Sequence, residues 1–354
     1  MEPLTHFLTG AVLSRAGFNR RTAFATLTMT VGAEAADIDL VANLRGPLYG
    51  FAHHRGITHT FVGVPVVALA VVAGVWVWHR FRQRFWPPKY KPGYPTTPRW
   101  GLLYCCAVLA GLSHILLDFT NSYGVRPFEP FSYRWYAWDI VFIIEPLLYV
   151  VLLAGLALPV IFRLVSEEVG ARQKGPPGRV AAALALAGTV AVWGVRDYEH
   201  RRAVAALESR VYEGAEPKQA GAFPYPLNPF RWYAVVETQD RFERMLVNSL
   251  TAEVDPDERA EARYKTEASP VTLAARQSYL GRIYLDWARF PVLEVEKREP
   301  PQPGYVVRFH DLRFMYPGSA RRVLSAGVVL DPEFRVMEYL WPGLGGKELE
   351  VAPN

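Results

Sequence analysis

The sequence predicts an α-helical membrane bundle, four spans plus an N-terminal helical hairpin, followed by a smaller β-rich α+β soluble domain. Three observations predict it. Charge is uneven: residues 1–195 hold 17 Lys+Arg and 10 Asp+Glu, whereas residues 196–354 hold 22 and 24. Four long apolar runs all fall in the first part. The second part carries short runs rich in Val, Tyr and Phe, punctuated by Pro and Gly, as strands are. The length of 354 residues corresponds to about two domains, here 1–195 and 196–354. The formal charge of +5 is an excess confined to the apolar part. No nucleic-acid partner is expected, because such a module carries its basic stripe on a soluble face.

Taken in order, Leu4–Ala16 and Thr22–Ala35 are amphipathic stretches joined by Gly17, Asn19, Arg20 and Arg21. They form either two short spans or a re-entrant hairpin buried among other helices, since polar backbone at membrane depth must be covered by protein. No basic segment precedes the first stretch and Arg15, Arg20 and Arg21 break its apolar run, so a cleavable signal peptide is not expected. Thr60–Trp78, Gly101–Phe119, Ile140–Phe162 and Val180–Val195 approach the about 20 apolar residues that a bilayer requires. Cys105 and Cys106 are adjacent within an apolar run and form neither a disulfide framework nor a metal knuckle. Segment 80–99, with Arg80, Arg82, Arg84, Lys89, Lys91 and Arg99, and segment 163–179, with Arg163, Arg172, Lys174 and Arg179, are the basic loops. They are expected on the cytoplasmic side of the cell (inner) membrane. Loop 119–139 and everything after residue 195 then lie outside.

Arg196–Arg210 reads as a helical extension of the last span. Strands are expected at Arg231–Glu237, Tyr284–Ala288, Val292–Val295, Tyr305–Phe309, Val323–Val329 and Arg335–Tyr339, with helices near 239–250 and 255–277. His310 shows no partner pattern, and no catalytic motif is visible in this part.

Six of the eight histidines lie within the first 114 residues. Ionisable groups in an apolar segment are costly and usually functional. His114 and Asp118 stand four apart on a helix and share a face. His53, His54 and His59 crowd the segment HHRGITHTF, where Gly56 permits a turn. Asp37 and Asp39 straddle one residue, and in an extended segment they point the same way. His6 follows Thr5. Each pattern alone has a bland reading: a hydrogen-bonded pair, a pH-sensitive loop, a solvated helix stop. Together, three Asp and four His without Cys form a donor set suited to Zn²⁺, Mn²⁺ or Fe²⁺. The set is large enough for one or two ions. Asp139 opens the third span and Glu145 lies one and a half turns inside it, so Glu145 needs a cation, a metal or a proton, with Arg55 or Arg126 as counter-charge. Arg55 either clamps a phosphate bidentately or snorkels to headgroups.

PLTHFLTGAVLSRAG, AADIDL, HHRGITHTF, GLSHILLDFTNSYGVRPFEPFS and WDIVFIIEP, in this order, resemble the membrane-bound metal-dependent hydrolases of the YdjM type over roughly residues 1–165. That family is similar to zinc-dependent phospholipases C and single-strand-specific zinc nucleases. The resemblance implies His6, Asp37, Asp39, His54, His59, His114 and Asp118 as ligands of zinc or another divalent metal. It also implies a phosphoesterase acting on a phospholipid or lipid-linked phosphate. Arg55 would hold the phosphate, and Asp139 or Glu145 would orient water or complete the shell. The soluble relatives have a further downstream histidine, whereas here none occurs between His114 and His200. Two other readings use the same residues differently. One is a transporter or proton-coupled carrier, which breaks its spans with Pro and acids. The other is a non-enzymatic anchor whose outer domain binds a partner.

Overall fold

The computed structural model describes residues 1–86, 92–168, 175–316, 323–342 and 348–353. Of the basic residues named above, Lys89, Lys91, Arg172 and Lys174 lie outside them. The chain divides into two compact units, Met1–Leu40 with His53–Asp197, and Val41–Ala52 with Tyr198–Asn354. The boundary near residue 197 falls close to the expected one. The assignment of 41–52 to the second unit was not expected.

In the first unit α1 (Pro3–Arg15) starts where the Glu2 carboxylate accepts from the backbone N–H groups of Leu4 and Thr5, at 2.7 and 2.9 Å, with Pro3 in the first turn. Both features favour a helix start. α2 (Ala25–Glu34) returns against it. The two helices rise only about 20 and 15 Å at 1.5 Å per residue, short of the hydrocarbon core of about 30 Å, so neither crosses alone. Gly10 lets them touch: a Cβ there would lie 2.4 Å from the Met29 carbonyl oxygen. Gly32 of α2 meets Ala107 and Ala110 of α5 (Trp100–Thr120) in the same way. Small residues are how helices approach closely where lipid removes the hydrophobic drive between them.

After α3 (Pro47–His53) come four helices long and apolar enough to cross a membrane: α4 (Gly63–Phe85), α5, α6 (Pro146–Glu168) and α7 (Arg179–Glu208). α5 is the central one, with 50% of its most apolar stretch buried against 17–28% for the others. The outward faces of the rest carry exposed Val66, Leu69, Val150, Phe162 and Leu184, which is what a lipid solvent requires. α7 is continuous from Arg179 to Glu208, so the fourth span and its expected extension are one helix.

The third span begins later than expected. Residues 140–145 are not helical, and α6 starts at Pro146, because the residue before a proline is disfavoured in the α region while proline itself suits a first turn. The chain here lies beside the end of α5: the N–H groups of Ile140 and Val141 both donate to the Thr120 carbonyl. Glu145 therefore precedes the span instead of lying inside it. Its buried carboxylate accepts from Arg196 of α7 at 2.6 Å, so neither Arg55 nor Arg126 is the counter-charge.

The second unit holds two five-stranded antiparallel sheets. The first has β1 (Gln219–Pro224), β2 (Arg231–Glu237), β3 (Arg241–Asn248) and β4 (Glu253–Val254) in order, with β5 (Glu261–Tyr264) also paired to β3. The second runs β10 (Glu348–Val351), β9 (Val336–Pro342), β8 (Ala326–Leu330), β7 (Gly304–Asp311), β6 (Pro291–Arg298). The expected helix at 239–250 is β3. Six of its eight residues are buried, and burial on both faces erases the alternation that marks a strand. Of 255–277 only α8 (Pro270–Gln277) is helical, started by a Ser269–Thr272 capping box. The expected strand Tyr284–Ala288 lies in α9 (Tyr279–Trp287), capped by Ser278. Its Tyr284 and Trp287, three apart, share the buried face, and Phe51 packs on both rings and on Trp341. His310 is not without partners: it bonds Ser325 Oγ at 2.6 Å and the Glu294 carboxylate at 3.1 Å.

Gly10→Leu is expected to destabilise the first unit by about 1–3 kcal/mol through overpacking. Gly101→Ala, where nothing lies within 4 Å of an added Cβ, should be neutral. Thermal unfolding of the detergent-solubilised protein checks both.

Candidate metal centre

Four segments bring the candidate residues together. α5 supplies His114 and Asp118, four apart on its buried face. α1 supplies His6, whose ring stacks on His114 with centroids 3.8 Å apart. A 3₁₀ run, Ala35–Arg45, continues from α2 and carries Asp37 and Asp39; the backbone is not extended as expected. The turn before a second 3₁₀ piece, Ile57–His59, places His59. In that turn Arg55 is left-handed, with φ 53°, and a Cβ on Gly56 would lie 2.8 Å from the His53 carbonyl oxygen, so the bend needs the glycine.

Hydrogen bonding fixes the imidazoles. Nδ1 of His114 lies 2.6 Å from the Ala33 carbonyl oxygen. A carbonyl only accepts, so Nδ1 carries the hydrogen and, in the neutral ring, Nε2 presents its lone pair. Nδ1 of His59 lies 3.1 Å from the Thr58 hydroxyl and 3.3 Å from the Asp39 carboxylate, and these two groups orient that ring. The two Nε2 atoms then face each other at 3.1 Å. Two lone pairs at that distance repel unless a cation or a proton lies between them.

The carboxylates close the cage. Asp37 Oδ1 lies 3.2 Å from His59 Nε2 and 3.5 Å from His114 Nε2. Asp118 Oδ2 lies 3.6 and 3.4 Å from the same two atoms. A tetrahedral Zn²⁺ with ligands at about 2.0–2.1 Å has donor–donor edges of about 3.3–3.4 Å. The three edges of the Asp37–His59–His114 triad, 3.1 to 3.5 Å, lie near that figure, as do the 3.6 and 3.4 Å from Asp118 to the two imidazoles. His6 joins from the other side, with Nε2 3.5 Å from Asp118 Oδ1. Both its ring nitrogens are buried without a hydrogen-bond partner among the described residues, as expected of a ligand and costly for a bystander. The donors fall into two overlapping triads, His6–His114–Asp118 and Asp37–His59–His114.

The other expected residues surround this core. Asp39 sits behind it: besides ordering His59, it accepts from the Arg55 backbone N–H at 2.7 Å and lies 3.4 Å from His54 Nδ1. His54 belongs to neither triad and stands edge-on to His59 and Tyr123. Arg55 is 4% exposed and donates to Asp118 Oδ1 at 2.8 Å and to the Gly124 carbonyl at 2.7 Å, with Tyr123 beneath its guanidinium. Both terminal nitrogens are engaged, so it holds Asp118, while its Nε is buried without a hydrogen-bond partner among the described residues. Asp139 and Glu145 belong to neither triad. Asp139 has a left-handed backbone in the segment laid beside the end of α5, and Glu145 is paired with Arg196.

Burial pushes the Asp37 carboxyl up, but hydrogen bonds to His114 and His59 outweigh it and hold the group well below the usual carboxylate range. Asp39 is held low in the same sense, with hydrogen bonds to His54 and His59 overcoming its burial. Both therefore remain anions at neutral pH. Sequence reasoning missed the Ala33 carbonyl, the Met1 amino group on Asp118 and the Glu34 carboxyl. Backbone groups carry no residue signature, whereas Glu34, three positions before Asp37, carried a spacing signal that went unused.

Arg55→Leu, which leaves Asp118 without its guanidinium, is expected to cost about 3–5 kcal/mol of stability, as breaking one side of a buried pair does. Chemical unfolding of chelator-treated protein measures it.

No solved structure matches this chain. Over 166 residues it is 25% identical to YfhP of Bacillus subtilis (strain 168), a protein described as uncharacterized, covering 45% of this chain and 46% of that one. The chain thus spans about half the length of the curated relative it matches. The YdjM inner membrane protein family matches residues 1–202, which include α4, α5, α6, most of α7 and every residue of the cage. The chain is therefore an integral inner membrane protein and belongs to the YdjM family.

Proposed function

We propose that this protein is a metal-dependent hydrolase of phosphoesters, acting on a phospholipid or another lipid-linked phosphate at the outer surface of the membrane, with its C-terminal unit outside the cytoplasm. The observation that carries the reading is the His59–His114–Asp37–Asp118 cage. Its donor separations and buried position suit Zn²⁺, with Mn²⁺ or Fe²⁺ as the alternatives its donors allow. An imidazole nitrogen has one lone pair, so His114, shared by both triads, serves one ion. One ion is thus the simpler occupancy, with a second requiring a shared carboxylate. When bound, such an ion lowers the pKa of water towards about 7 and stabilises charge on phosphoryl oxygens.

The chain's own residues set the rest. Asp39 and the Ala33 carbonyl orient the two imidazoles, as outer partners of metal-bound histidines do. Arg55 holds Asp118 and balances its charge. Asp37, the most accessible of the four donors at 20% side-chain exposure, marks the open side where substrate enters. A proton relay would string its groups across the bilayer. These groups converge on one centre, which favours the cation-binding reading over the carrier.

Elemental analysis of the purified protein is expected to find divalent metal, and the His114→Ala, Asp118→Ala double variant should lose it. Equal metal in both, or none in either, overturns the proposal. Asp39→Asn should weaken metal affinity by about 10–100-fold, the usual effect of removing an outer partner. His200→Ala, in the other unit, should leave it unchanged. Competition with a chelator reads both.

A further inference from the structure

A groove of 760 Å³ runs along the first unit between α2 and α4. Leu27 and Val31 form one wall; Val67, Val71 and Gly74 form the other; Trp78 closes the far end. On each wall the lining spans eleven residues of rise, about 16 Å at 1.5 Å per residue. The groove exists because α4 places small residues, Ala70 and Gly74, opposite the short α2. An added Cβ at Gly74 meets nothing within 4 Å. Its polarity is one-sided. The long part is apolar, while one end is lined by Glu34 and Asp37. Asp37 is a corner of the metal cage, so the groove and the candidate centre are continuous. Oε1 of Glu34 is buried there without a hydrogen-bond partner among the described residues.

We infer that this groove holds one hydrocarbon chain of a phosphate-bearing lipid, laid along α4 with its head at the Asp37 end. The inference rests on the phosphoester reading for the head and adds a site for the tail. Three features argue for this occupant over bulk lipid. The groove's volume lies within the range of about 300–1,000 Å³ typical of ligand sites. Its single polar end carries two carboxyl groups, Glu34 and Asp37, so an anionic head is seated there by the cation proposed for the cage. It terminates on a side chain of the cage. The opening faces the same medium as the exposed flanks of α2 and α4, where Val31 and Leu69 are among the exposed apolar residues, so a membrane lipid enters sideways without leaving the bilayer.

The test uses the full-length protein in nanodiscs and two photoreactive probes, hexadecyl phosphate with a mid-chain diazirine and the matching hexadecanol. Cross-links are mapped by peptide mass spectrometry and phosphate release is assayed in parallel. The phosphate probe is expected to label the 27–38 and 67–78 segments, about ten-fold or more above the alcohol. Gly74→Phe, and independently Ala70→Phe, should remove that labelling while metal content stays at the wild-type level. Labelling spread equally over α6 and α7, equal labelling of the groove by the alcohol, or labelling that survives both substitutions overturns the tail site. Groove labelling without phosphate release sinks the hydrolase reading and leaves the tail site standing. Phosphate release without groove labelling does the reverse.

Discussion

Two imidazole nitrogens facing each other at 3.1 Å are the constraint around which the membrane unit is organised. Each is held there by a bond on the opposite side of its ring, to the Ala33 carbonyl or to Asp39, so neither ring turns away without breaking that bond. Two carboxylates complete the enclosure, and Arg55 anchors one of them. Burying this many charged and polar groups among apolar helices is costly. They are gathered in one cluster of overlapping His/Asp triads.

The helix packing exists to bring four distant segments to that point. α5 is the most enclosed helix and carries two of the four cage residues. α1 and α2 are too short to cross the bilayer, yet they pack against it through Gly10 and Gly32, and this close approach sets His6 over His114 and the Ala33 carbonyl against its ring. The hairpin's second helix continues directly into the 3₁₀ run that bears both aspartates. The gap it leaves beside α4 is the groove that ends on Asp37.

The second unit is a different kind of structure, two antiparallel sheets with two short capped helices, and its described residues include no His/Asp/Glu/Cys group of the metal-binding type. Its buried polar contacts, such as His310 between Ser325 and Glu294, tie strands of one sheet together. The segment 41–52, which follows the aspartates in the chain, clusters with this unit through Phe51 and its aromatic partners. The polar loop at the site thus shares its chain with both units.

The four apolar spans and the β-rich C-terminal part were legible in the sequence. Apolar length, charge bias and an i, i+4 His–Asp pair are local properties, and each follows from residue spacing alone. Tertiary structure decided the roles. Asp37 and Asp39 look equivalent in the chain, yet one lines the cage and the other stands behind His59, because the 3₁₀ backbone turns them apart. Arg55 looked available to a substrate, but the fold buries it against Asp118. Glu145 took its partner from α7, 51 positions away, a pairing no local pattern encodes. Likewise β3 read as a helix, because burial on both faces erased the alternation that marks a strand. Spacing along the chain determines which groups can share a face; only the meeting of faces from distant segments determines which of them are stripped of water and what each is left to bind.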